Sequence, residues 1–247
     1  MTGTVRWYDR VAGLYDLATL GDRFYADMRG QAVAALGLSP GDTVVDLFCG
    51  TGADLPLLAD ALDGEGRIVA VDGSAEMLAR AGARGRRLPE AIDLEPVRMD
   101  LSTWDGRLAL GERIRATQPR AVLITLGLSV LENWREVFGA AFDAAPQGCR
   151  FAILDDYGTR EDVGKRITDW LGAADVSRPV WQELEARAES FERRSRRLLP
   201  FSRVEVFVAA GTKPSAPISK RDHAPHGPQR GRAAIRSESV ATFDGRL

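Results

Sequence analysis

The richest chemistry in the chain begins at Val44-Val45-Asp46-Leu47-Phe48-Cys49-Gly50-Thr51-Gly52, where an apolar run passes directly into a Gly-x-Gly turn. Glycines in such a turn let backbone N–H groups approach a ligand beneath the N-terminus of the helix that follows. A second apolar run, Ile68-Val69-Ala70-Val71, ends in Asp72, twenty residues beyond Gly52. That is close to the spacing at which an acidic side chain meets a ribose. A carboxylate there accepts from both ribose hydroxyls, in NAD and in S-adenosylmethionine (SAM) alike. Two details favour SAM. A dinucleotide fingerprint wants a small residue three positions after Gly52, where Leu55 stands, followed by Pro56. Asp46, inside the first run, can orient the turn and meet a cationic ammonium, which a pyrophosphate would not welcome.

A third run ends at Met99-Asp100-Leu101. Met99 and Leu101 can flank an adenine ring while Asp100 accepts from its exocyclic amine. A helix or turn cap is the competing reading of Asp100; its register with Asp46 and Asp72 favours the adenine. Cys49 is not read as a nucleophile, because both histidines, His223 and His226, stand far downstream in a polar tail. Two cysteines, Cys49 and Cys149, with no C-x-x-C spacing, predict neither a disulfide framework nor a metal site.

These residues need a scaffold, and the pattern around them supplies one. Short apolar runs at Thr43–Phe48, Arg67–Asp72, Glu95–Met99, Ala121–Leu126 and Arg150–Asp155 alternate with helical patterns at Ala53–Ala61, Ala75–Ala83 and Asn133–Ala144. Alternation of this kind predicts a doubly wound α/β domain with a mostly parallel sheet. Phe191–Arg196 and Arg203–Ala210 read as an antiparallel pair at one edge, and Asp9–Leu38 reads as helical up to the breaker Ser39-Pro40-Gly41.

The 247 residues, 45% hydrophobic and 28% charged, suit one large globular domain with appendages. No apolar stretch approaches the roughly 20 residues of a membrane span, and no secretory leader is read at the start, so a cytoplasmic protein is expected. From Lys213 onward seven Lys/Arg face three Asp/Glu, which leaves the preceding body at −6 within a net charge of −2. An acidic body offers no footprint for nucleic acid. The tail, with four prolines and one aromatic (Phe243), cannot bury enough apolar surface to offset its ordering entropy and is expected to be disordered. The expected division is therefore an N-terminal helical lid at 1–40, a cofactor-binding domain at 41–212 and a disordered basic tail at 213–247.

Asp46-Leu47-Phe48-Cys49-Gly50-Thr51-Gly52, then Val71-Asp72-Gly73-Ser74-Ala75-Glu76-Met77, then Asp100, resemble the SAM-binding motifs of class I methyltransferases. The resemblance implies a Rossmann-like sheet of seven strands, the last inserted antiparallel. It implies Gly50, Thr51 and Gly52 beneath the methionine moiety, Asp72 and Gly73 at the ribose, and Met77, Met99, Asp100 and Leu101 around the adenine. More narrowly, Tyr8-Asp9-Arg10-Val11-Ala12-Gly13-Leu14-Tyr15-Asp16 resembles the opening of the ubiquinone/menaquinone-biosynthesis and bacterial phosphatidylethanolamine N-methyltransferases. Ser129 to Trp134 and Asp155-Asp156-Tyr157-Gly158 with Trp170 are similar to the lipid-headgroup members of that group. By that resemblance Tyr15 lies against the cofactor as a lid. Tyr15 and Tyr157 are taken as the catalytic pair, and Tyr8 and Asp156 as acceptor contacts.

Methyl transfer from a sulfonium is in-line displacement, governed by alignment and desolvation of the nucleophile. A neutral amine needs little more, whereas a phenol or enol carbon needs a base, most often His. With no histidine in the body, N-methylation of a small molecule or lipid headgroup is expected ahead of O- or C-methylation of a quinone-like acceptor. Transient membrane contact is compatible with this. The remaining alternatives are an inactive SAM-binding module and, opposed by Leu55 and the lack of a Tyr-x-x-x-Lys pair, a nicotinamide oxidoreductase.

Overall fold

A computed structural model of the chain describes residues 25–159, 165–166, 174–197 and 203–215. Strands and helices alternate along it: α1 (Ala26–Leu36), β1 (Thr43–Leu47), α2 (Leu55–Ala61), β2 (Gly66–Asp72), α3 (Ala75–Gly85), β3 (Ile92–Arg98), α4 (Trp104–Thr117), β4 (Ala121–Thr125), α5 (Trp134–Ala144), β5 (Arg150–Tyr157), α6 (Gln182–Arg187), β6 (Glu189–Arg197) and β7 (Glu205–Thr212). The strands form one seven-stranded sheet in the order β3-β2-β1-β4-β5-β7-β6. β1 to β5 pair in parallel, and β7 is inserted antiparallel between β5 and β6. This is the Rossmann-like, doubly wound architecture expected from the sequence.

The central strands β1, β4 and β5 are buried on both faces, as their unbroken apolar runs require. β3 lies at an edge, which is why it tolerates Pro96 and is only partly buried beyond Ile92. Its early part, Ile92–Leu94, escaped the sequence reading because Asp93 breaks the apolar run. Helix starts follow local chemistry. Ser74 caps α3 by accepting from the Met77 N–H at 3.2 Å, and Thr103 caps α4 by accepting from the Gly106 N–H at 3.0 Å.

Two apolar layers cover the sheet. On one face α4, α5 and α6 bury Leu110, Ile114, Phe138 and Leu184 against Val45, Leu47, Ile124 and Phe151. On the other, α1 and α2 bury Met28, Leu36, Leu55 and Leu58 against Val44, Ala70, Leu123 and Leu154. Each fully buried Leu or Phe contributes roughly 1.5–3 kcal/mol. The sheet is thereby held rigid, with the C-terminal ends of β1, β2, β4 and β5 presented together at one end. Among the described residues no helix is long and apolar enough to cross a membrane. Tyr8, Tyr15, most of the expected lid, Trp170 and the tail from residue 216 lie outside the described residues.

Candidate functional site

The Gly-x-Gly turn leaves β1 and is anchored to the end of β2. One oxygen of Asp72 accepts from the Gly50 N–H at 2.9 Å, and the other accepts from the Ser74 N–H at 2.9 Å. One half-buried carboxylate thus ties the turn after β1 to the start of α3. Gly52 has φ +80, and a Cβ there would lie 2.6 Å from Leu55 Cδ1 and 3.0 Å from Ala81 Cα. Only glycine lets α2 and α3 converge behind the turn. Thr51 is buried between these glycines. Burial pushes the Cys49 thiol well above its ordinary range, with the charges of Asp46, Asp72 and Asp54 adding to the effect, so no thiolate is available as a nucleophile.

Beneath the turn, on the α1/α2 face, lies a buried polar cluster. Arg29 of α1 donates to Asp54 Oδ2 at 2.6 Å, and Thr125 at the end of β4 donates to the same oxygen at 2.8 Å. Asp46 points into this region, fully buried, and neither of its oxygens has a hydrogen-bond partner. Burial holds its carboxyl well above the usual range; Asp54 and Asp72 push in the same direction and Arg29 opposes them. A buried carboxyl of this kind gains from any cation brought near the turn. Arg29, Asp54 and Thr125 carry no motif in the sequence, since their pairing depends on which strands and helices become neighbours.

At the end of β2 and β3, Met77 and Leu101 are buried and Met99 is half-buried. The Met99 N–H donates to Asp72 O at 2.9 Å, and Asn133 holds the Leu101 carbonyl at 3.1 Å, so this apolar wall is fixed on both sides. Asp100 Oδ1 accepts from the backbone and the hydroxyl of Ser102, and Thr103 donates to the Asp100 carbonyl. Asp100 therefore does serve the turn into α4 in this structure.

The exits of β4 and β5 carry the remaining acidic residues. Asp155 accepts from the Ser129 N–H at 3.1 Å, the Ser129 hydroxyl at 2.6 Å and the Asp156 N–H at 2.9 Å, and so pins the loop after β4. Arg178 clamps the same loop by donating to the carbonyls of Ser129 at 2.7 Å and Leu131 at 2.9 Å. Asp156 faces the opposite side, where Tyr25 donates to its Oδ2 at 2.8 Å while its Oδ1 is buried without a partner. Burial, then the charge of Asp155, raises the Asp156 carboxyl to about 7 against the hydrogen bond from Tyr25.

Tyr157 alternates back to the α5/α6 face and packs edge-on to Trp181, ring centroids 4.5 Å apart. Asp156 and Tyr157, adjacent in sequence, therefore stand on opposite faces of β5. Trp134 is buried under the Arg135 guanidinium and anchors α5.

Two strand exits hold non-glycine residues in the left-handed region, Phe48 (φ 60) after β1 and Leu126 (φ 51) after β4. Each such conformation costs roughly 1–2 kcal/mol. No sequence signal marked either residue. Among the described residues no group of three potential metal ligands is found.

Comparison with known proteins points to one family. Residues 44–138 match a family described as a methyltransferase domain. The chain is 36% identical over 174 residues to the 2-phytyl-1,4-naphtoquinone methyltransferase of Thermosynechococcus vestitus, taking in 69% of this chain and 72% of the relative. To the protein of the same name in Synechococcus elongatus it is 33% identical over 152 residues, 60% of this chain and 61% of the relative. The chain spans between 24% and 61% of the length of the first curated relatives that it matches. Among solved structures, Haemonchus contortus phosphoethanolamine N-methyltransferase 2, in complex with S-adenosyl-L-methionine, superposes with a TM-score of 0.62 at 12% identity over 87% of this chain and 60% of that one. At that identity the likeness speaks for the fold alone.

Proposed function

The chain belongs to the class I SAM-dependent methyltransferases, and we propose that it methylates a small quinol-like aromatic acceptor held at the exits of β4 and β5. The observation that carries this reading is Asp156. It is a buried carboxyl with a proton affinity near neutrality and one oxygen without a partner, at the strand ends where open α/β sheets bind ligands. The two relatives named for a naphthoquinone substrate support the same class of acceptor.

The residues suit SAM. Asp72 meets the ribose at the end of β2, the Gly50–Gly52 turn receives the methionine moiety, and Met77, Met99, Asp100 and Leu101 border the adenine. Asp46, with two buried oxygens lacking partners, offsets a nearby ammonium. When bound, SAM supplies an electrophilic methyl group on a sulfonium. Asp156 takes the proton of an acceptor hydroxyl and so raises electron density on that oxygen and on the conjugated ring carbon. Tyr25, donating to Oδ2, orients the carboxyl and leaves Oδ1 for the acceptor. A positioned base of matched pKa contributes about 10²–10⁴-fold in rate. Tyr8 and Tyr15 belong to the same proposal as the aromatic border of the acceptor pocket, whereas Tyr157, expected there from the sequence, packs against Trp181 on the opposite face of β5 from Asp156.

A buried carboxylic base replaces the histidine whose absence favoured N-methylation in the sequence, and for that reason O- or C-methylation now ranks first. The test has two stages. Calorimetric titration with S-adenosylhomocysteine is expected to give micromolar binding to the wild type and none to Asp72→Ala. Incubation with SAM and either a reduced naphthoquinol or an ethanolamine headgroup is then followed by mass spectrometry of the product. A methyl group on carbon or oxygen supports the reading, and one on nitrogen restores the amine or lipid-headgroup acceptor. Tight binding with no product from either would leave an inactive module.

A further inference from the structure

Phe48 stands where the cofactor turn leaves β1, in a left-handed conformation that an aromatic residue rarely adopts (φ 60). The parallel register sets Leu47 beside Ile124, so the exits of β1 and β4 are neighbours. Across that gap Leu126 is also left-handed (φ 51). Strained residues at adjacent strand ends persist where the surroundings hold them for a purpose, commonly at ligand clamps.

The next residue shows what the strain achieves. A Cβ built on Gly127 would lie 2.1 Å from Phe48 Cγ and 2.3 Å from Cδ2, so the phenyl ring occupies the side-chain space of position 127. Gly127 is not among the glycines with positive φ, and its role is therefore room for the ring. The ring is half-buried, packed against the cluster that includes Leu101, Leu128 and Trp134. The residue stays partly exposed where the turn leaves β1. A fixed aromatic face there attracts a cation. Of the donor and the spent product of methyl transfer, only the donor carries the sulfonium charge.

We propose that Phe48, wedged against Gly127, is a positioning residue whose ring receives the sulfonium and makes the site prefer charged SAM to neutral S-adenosylhomocysteine. This rests on the SAM-dependent reading above. Such a preference speeds release of the spent cofactor and fixes the direction in which the methyl group points.

The experiment measures the affinities of SAM and S-adenosylhomocysteine by calorimetry without acceptor, together with thermal melts. Phe48→Leu, which keeps bulk but loses the π face, is expected to weaken SAM about tenfold and the homocysteine compound less than twofold. Phe48→Tyr keeps the wild-type ratio. Gly127→Ala displaces the ring and shows the same charge-selective loss with a lower melting temperature. Phe48→Gly with Gly127→Ala recovers the melting temperature but not the SAM preference, and it carries the test if Phe48→Leu does not fold. An unchanged ratio in Phe48→Leu overturns the inference and leaves the family reading intact. A wild type that binds neither ligand overturns both.

Discussion

Asp155 and Asp156 are adjacent acids with opposite duties, and their surroundings decide which is which. Asp155 spends its oxygens on Ser129 and on the Asp156 N–H, fixing the loop after β4. Asp156 holds one hydrogen bond, from Tyr25, and keeps its proton up to about 7. The unfolded chain releases that proton near pH ~3.9. Between these two values the folded state binds more protons, so stability falls as pH rises from about 4 to about 7 and is level above that.

Asp156→Asn removes this slope. In urea titrations at pH 5 and pH 8 the wild type is expected to lose on the order of 2–4 kcal/mol more than the variant. Asp46 and Asp155, which are also raised, keep their own contributions in both proteins. Turnover on a quinol should rise with pH to a plateau above about 7 in the wild type. In the variant it should be about 100-fold lower and lack that rise. Equal pH slopes in the two proteins would remove Asp156 from the role of base. The place of Asp156 at a strand end was legible in the sequence. Its partner Tyr25 was not, because 131 residues separate the two and no local spacing encodes the meeting.

The elements around the turn converge on charges that the apolar pattern hides. α1 presents Met28, Ala32 and Leu36 to the core, which is what its composition predicts, but from the same helix Arg29 reaches Asp54. The two side chains are 11% and 2% exposed, so the ion pair is out of water, where a lone charge is costly. Arg29→Met leaves Asp54 buried with only Thr125 to satisfy the shared oxygen. It is expected to cost about 3–5 kcal/mol in chemical denaturation, and adding Asp54→Asn should recover much of that. A loss below about 1 kcal/mol would mean that α1 docks by its apolar face alone.

Strand positions were readable to within a few residues because β1, β2, β4 and β5 carry their signal in near-continuous apolar runs. The errors fall where that signal fails. β5 continues through two acids to Tyr157, kept extended by pairing with Val206 and Glu205 of β7. The antiparallel partners β6 and β7 followed from two short runs flanking Leu-Pro-Phe, and the insertion of the last strand between its neighbours followed from the family resemblance.

Across the whole molecule the sheet has two edges of different character, and the chain's charge is distributed to suit them. β6, the outer strand beside β7, is mostly exposed and rich in Arg and Glu, which discourages pairing with another chain. Beyond β7 the sequence changes to the Pro-rich basic tail, and the compact unit ends at Ala216. The sequence reading set the domain limit at 212, and the backbone around Lys213 argues for a few residues more. The Lys213 N–H donates to Cys149 O at 2.8 Å, and its carbonyl accepts from the Gly148 N–H at 2.9 Å, which extends the pairing of β5 with β7. Its ammonium donates to the carbonyls of Asp143 at 2.9 Å and Ala145 at 2.6 Å, satisfying groups that the C-terminal end of α5 leaves unpaired. Each of these bonds contributes about 0.5–1.5 kcal/mol net.

Truncation after Ser215 should therefore leave the melting temperature within about 1–2 °C of the full chain and leave S-adenosylhomocysteine binding unchanged. Truncation after Thr212 should lose about 2 kcal/mol, or roughly 4–8 °C, in differential scanning calorimetry. If both truncated chains melt together well below the full chain, residues after 215 contribute to the fold, and the reading of the tail from its composition is wrong. If both melt with the full chain, Lys213 is dispensable and the domain closes at Thr212.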